Sequence, residues 1–247
     1  MPSVLSAALV AVLALAAAVG RPLLGVGIAA VQVVFTLGGV RPAPVPAARS
    51  GAWLALMVSI GASAWMVFAD PNGRWPVAVL LGPAFVAAIA IQLGRQDGRR
   101  AMTMSLTMTV AACALAVLPV AWLALRATEG GVHAVWLGLL GVGVVGLADA
   151  LPIPVVARRF LAILLAGGVA AGLMLVAGGV AAAVPKVGGV VVASFAALSA
   201  VIAVAAVDRV AAEAGDGTVS VLTPLRVSLP VVVAAPVSYV LGRVLLG

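Results

Sequence analysis

Long apolar runs alternate with short polar breaks from one end of the chain to the other, and that rhythm predicts helices that cross a membrane. About 20 apolar residues at 1.5 Å rise span the hydrocarbon of a bilayer. The runs are Ser3–Val19, Leu23–Val40, Gly51–Ala69, Pro76–Leu93, Thr103–Leu125, Ala134–Leu147, Phe160–Val184, Val187–Val207 and Val227–Leu246. The breaks have a physical cause. Arg21-Pro22 places a proline at a helix start, and the three prolines between Arg41 and Arg49 cannot continue a helix. Asp70-Pro-Asn-Gly73 is a turn sequence, and Pro185-Lys186 parts the seventh run from the eighth. The longest polar connection expected is Asp208 to Arg226. The fold expected is all-α, a polytopic helical transmembrane bundle of about nine helices forming a single integral membrane domain over residues 1–247. The first run ends in Ala-rich sequence like a signal-peptide cleavage site, but it lacks a basic n-region and another run follows at once, so it reads as a retained helix.

Composition agrees with this pattern. The chain is 65% hydrophobic and 9% charged, far from soluble composition. The net charge of +7 would point to nucleic acid in a soluble protein. Here the basic residues are scattered through short loops, which excludes that reading and assigns sides instead. Of the 14 Lys and Arg, nine fall in the loops after helices two, four, six and eight, and five on the other side. The count gives a cytoplasmic N-terminus and an external C-terminus, although Arg21 alone pulls the other way. Trp65, Trp75, Trp122 and Trp136 then fall near the external interface, where indoles prefer to sit. The sequence is rich in Ala, Val, Gly and Leu with a single Lys, a composition expected of a GC-rich bacterial genome, and hence of the bacterial inner membrane.

Candidate chemistry is sparse. Asp149 is the acidic residue nearest membrane depth, where an ionisable group marks a functional site by default. With Arg158 and Arg159 across a Pro-containing loop it makes either an anionic-headgroup or phosphate site with forked donors, or an interfacial Asp that caps a helix and pairs with a loop Arg. Asp97 among Arg95, Arg99 and Arg100 matches either an anionic-phospholipid contact at the cytoplasmic face or a plain stop-transfer flank. Gly168 and Gly172 form a GxxxG, and Ala234, Ser238 and Gly242 repeat the small-residue spacing in the last helix. Intrachain packing is the favoured use of both, ahead of a dimerisation face. Thr103, Ser105, Thr107 and Thr109 form two polar stripes on helix five, read as hydroxyls bonded back to the helix rather than a cavity lining. The single Cys113 excludes an intramolecular disulfide. His133, placed in an external loop, has no partner for a zinc site. No cofactor and no metal are expected, and no phosphate loop, HExxH, GxSxG or dinucleotide fingerprint occurs.

The junction Gln92-Leu-Gly-Arg95-Gln96-Asp97-Gly98-Arg99, Trp122 closing helix five, and the ending Ala235-Pro-Val-Ser-Tyr239-Val-Leu-Gly-Arg243 resemble a group of multi-pass membrane proteins of GC-rich actinobacteria that carry no assigned activity. The order of elements is also similar, more distantly, to phosphatidate cytidylyltransferases, and Ala234-Ala-Pro-Val237 fits the Ala-Pro-Val-rich last helix of that family. The resemblance implies a shared scaffold. The family's late loop carries a Lys-Asp pair, a Pro-Gly-His-Gly-Gly run and further Asp residues. Here Asp208 to Arg226 has Asp208, Glu213 and Asp216 without His, Lys or Gly-Gly. Three functions follow as expectations: a non-enzymatic accessory or scaffolding subunit with a possible membrane-protein partner, a lipid-handling enzyme of the cytidylyltransferase type, or a facilitator for a small or apolar solute.

Overall fold

The computed structural model describes residues 2–40, 48–69, 76–93, 102–176, 186–214 and 219–246. They form helices throughout, and no strand occurs among them. The helices are α1 (Pro2–Val19), α2 (Arg21–Val40), α3 (Ala48–Phe68), α4 (Pro76–Leu93), α5 (Met102–Val117), α6 (Val120–Arg126), α7 (Gly131–Ala148), α8 (Val155–Val176), α9 (Lys186–Ala214) and α10 (Val219–Leu246). Among the described residues, seven stretches are long and apolar enough to cross a membrane, with α5 and α6 counting as one and α1 as a shorter apolar helix. The chain is a multi-span membrane protein built as an all-α bundle.

Helices consecutive in sequence run antiparallel, as close contacts show. Leu13 fills the space beside Gly27, Val67 that beside Gly25, and Leu245 that beside Gly188. The bundle therefore has two ends. One carries Ser3, Asp149, the start of α8, Asp208 of α9 and Arg226 of α10; the other carries Gly20, Arg126 and the start of α7.

Lipid tails are as apolar as leucine, so helices associate here through close packing rather than burial from water. The central helix α7 illustrates it. A Cβ on Gly138 would lie 2.8 Å from Trp122 and from Ser238 Oγ, one on Gly141 would run into the Ala193 carbonyl of α9, and one on Gly143 would lie 3.2 Å from Val10 of α1. Each glycine admits a different neighbour. Ala234 and Ser238 are fully buried on α10, and the place of a side chain on Gly242 is filled by Leu125. Gly168 and Gly172 behave otherwise: both lie on the exposed face of α8 with nothing within 4 Å of a built Cβ. The buried stripe of α8 is Ala162, Ala166, Ala170 and Met174. Among the described residues, nothing packs against the GxxxG.

Several boundaries differ from the sequence expectation. Pro119 has no N–H for the helix, so the fifth span breaks at Leu118–Pro119 and tightens to three-residue bonds, Leu118 N–H to the Leu115 carbonyl and Trp122 N–H to the Pro119 carbonyl. Trp122 is 1% exposed and its indole Nε1 donates to the Val231 carbonyl at 3.2 Å; it is a core anchor, not an interfacial residue. Trp65 and Trp136 do face outward, and Trp75 lies outside the described residues. Gly130, at φ 67°, caps the start of α7 and draws His133 into its first turn rather than a loop. Helix α8 begins at Val155, so Arg158 and Arg159 are helical. The polar connection expected over Asp208–Arg226 is helical at both ends, because charges stop the hydrocarbon span without stopping the helix. Of that stretch, residues 215–218 lie outside the description. Helix α10 runs through Pro224, Pro230 and Pro236, each of which withholds one backbone donor.

Candidate functional site

The last turn of α7 delivers Asp149, whose N–H still bonds the Val145 carbonyl. The chain reverses through Leu151–Ile153, and the Pro154 carbonyl accepts from Arg158 N–H at 2.9 Å, opening α8. Successive helical residues point about 100° apart at 3.6 residues per turn, so Arg158 and Arg159 reach different neighbours. Arg158 turns to Asp149, with Nη2 3.0 Å from Oδ1 and Nη1 donating to the Asp149 carbonyl at 3.3 Å. Arg159 reaches Asp208 of α9, Nη2 to Oδ2 at 3.2 Å. Arg226 of α10 lies between them, its Nη2 2.8 Å from Asp149 Oδ2 and 3.2 Å from Asp208 Oδ1.

The result is an alternating ladder, Arg158–Asp149–Arg226–Asp208–Arg159, tying α7, α8, α9 and α10 at one end of the bundle. All four carboxylate oxygens carry a guanidinium contact. Three arginines and two aspartates leave a formal charge of +1. Asp149 is the most enclosed, its side chain 15% exposed, while Asp208 and Arg159 stand at 32%. At that depth screening is weak, and removing one partner leaves the others uncompensated. Arg158 Nε is buried without a partner. Two cavities of about 10 Å³ flank the ladder, one lined by Ser3, Ser6, Asp149, Arg226 and Pro230 and the other by Asp149, Arg158, Arg159 and Ala162. Each has the volume of a single water.

Of the candidates taken from sequence, the structure joins Asp149 to Arg158 and sends Arg159 to a different acid. Asp97, Arg99 and Arg100 lie outside the described residues. Asp208 and Arg226, which complete the ladder, were not among the candidates. The available signal was the alternation of sides, which already placed both with Asp149. Among the described residues no group of three His, Cys, Asp or Glu could hold a metal.

Elsewhere most of the deeply set polar groups bond to their own helix or to a neighbour. Gln32 is 0% exposed and its Oε1 accepts from Ser63 Oγ at 3.1 Å between α2 and α3, while Nε2 has no partner. Thr36 bonds back to the Gln32 carbonyl at 2.7 Å and Thr109 to the Ser105 carbonyl at 2.8 Å. Ser105 and Thr109 are buried against α3, where the place of a side chain on Gly51 is taken by Thr109; Thr103 and Thr107 face outward. At the opposite end from the ladder, Arg126 Nε donates to the Ala17 carbonyl at 2.7 Å, capping the last turn of α1. An apolar groove of about 440 Å³ runs between α1 and α7 and is closed by Leu173 of α8. In comparisons with known proteins, no family model, no curated protein and no solved structure matches this chain.

Proposed function

We propose that the chain is an integral protein of the bacterial inner membrane serving as a non-enzymatic accessory or scaffolding subunit, with its ladder end at the cytoplasmic face. The observation that carries this reading is the use of the ladder's charges on one another. A general base or metal ligand needs a carboxylate oxygen free to meet substrate, and here each oxygen of Asp149 and Asp208 already meets a guanidinium. The same pairing holds four helices in register, which is what a fixed platform for a partner requires. The residual positive charge and the half-exposed Arg159 suit anionic phospholipid headgroups at that face, as do Arg99 and Arg100 in sequence.

The test is native mass spectrometry of the protein extracted from its host in mild detergent. A second polypeptide in fixed stoichiometry, lost with Asp149→Ala, is the expected result. A lipid-dependent nucleotide turnover abolished by Asp208→Ala or Asp216→Ala would replace this reading with a lipid-handling enzyme of the cytidylyltransferase type.

A further inference from the structure

The α1–α7 groove has a direction. On α1 its wall is Ala7, Ala11 and Ala14, and on α7 it runs from His133 past Trp136 and Gly143 to Leu147. Both sets recur at three- and four-residue spacing, so each is one face of its helix. The fourteen steps from His133 to Leu147 at 1.5 Å rise give a length of about 21 Å, more than half the roughly 30 Å hydrocarbon thickness. Small residues make the trough: alanine on one wall, glycine in the other. Its lining is apolar except at the His133 end.

Beyond that end stands a fixed guanidinium. Arg126 is held through Nε to the Ala17 carbonyl, and Ala17 lies one turn beyond Ala14 along α1. With Nε committed to the backbone, its terminal nitrogens have no acidic partner among the described residues. His133, half-buried at the mouth, adds a ring nitrogen donor. A guanidinium held in place with its outer edge open matches a phosphate in geometry and charge.

We infer that this groove is a lipid site, holding one acyl chain of an anionic phospholipid with its phosphate at Arg126 and His133. The ladder lies at the other end of the bundle, so the site is separate from it and does not depend on the accessory role.

The experiment is a titration of the detergent-solubilised full chain with phosphatidylglycerol and, separately, phosphatidylcholine of the same acyl chains, read by native mass spectrometry. One phosphatidylglycerol per chain is expected, bound about fivefold more tightly than phosphatidylcholine, the factor that a single added basic contact supplies. Ala11→Phe fills the trough from an exposed wall and is expected to weaken binding about tenfold. Arg126→Gln is expected to bring phosphatidylglycerol down to the phosphatidylcholine level. Because Arg126 also caps α1, His133→Gln serves as a second headgroup variant that leaves that cap intact, with a smaller loss expected. Equal affinity for the two lipids, or unchanged binding by a folded Ala11→Phe protein, overturns the site.

Discussion

Helices α7 and α8 are neighbours in sequence and in space, both apolar and both marked by glycine, yet the bundle uses them in opposite ways. Of the span residues of α7, 61% are buried; of those of α8, 22%. The glycines of α7 at 138, 141 and 143 each stand where another helix would touch a side chain. On α8 the GxxxG glycines look outward, and contact is made by the alanine stripe one register away. Small-residue spacing alone therefore does not mark an interface. What decides is whether a backbone or a bulky side chain comes up against it from the other side.

The comparison breaks most sharply at Gly141. A valine there places Cβ against the Ala193 carbonyl, and backbone cannot yield as a side chain does. A loss of about 3 kcal/mol is expected. Cys113, free and buried, offers a built-in readout, since heating until its thiol becomes reactive follows unfolding in detergent. Next comes the ladder where the two helices meet. Asp149→Ala leaves Arg158 without a carboxylate and Arg226 with Asp208 alone, and is expected to cost roughly 2–3 kcal/mol, below the full buried-pair penalty because the arginines keep some exposure and Arg226 keeps one acid. In a double-mutant cycle, Asp149→Ala with Arg226→Met should cost less than the sum of the two; additivity would mean that the pair is not coupled. Ala166→Leu, on the buried stripe of α8, should overpack by about 1–2 kcal/mol. Gly168→Ala and Gly172→Ala should change the midpoint least, within about 0.5 kcal/mol and if anything upward, since alanine favours the helix. A marked loss at either glycine would show that the outward face of α8 is packed after all.

The span pattern was legible because bilayer thickness leaves few ways to arrange 247 residues of this hydropathy. Alternation of charge by side placed Asp149, Arg158, Arg159, Asp208 and Arg226 at one end before any contact was known. Their pairing was not legible. Which guanidinium meets which carboxylate depends on helix rotation, and Arg158 and Arg159 differ by one position and reach different helices. Treating Asp208 and Arg226 as the edges of a loop hid them, since hydropathy locates the membrane boundary and not the last helical turn. Trp122 misled for a related reason. An indole near a span end suits the interface, but Pro119 starts a new helical segment before it and turns the ring onto α10.

Arg226 has a consequence for how the protein is made. Before α10 emerges from the ribosome, Asp149 can hold Arg158 and Asp208 can hold Arg159, so that the two pairs share α8 but no side chain bridges the two acids. Helix α10 brings the one side chain among the described residues that touches both, together with Ser238 and Gly242, which fit against α7 and α6. The ladder is thus closed only when α10 has been inserted. A chain released before residue 226 would leave two half-neutralised acids at the membrane edge, an uncompensated state that quality-control proteases could distinguish from the finished molecule.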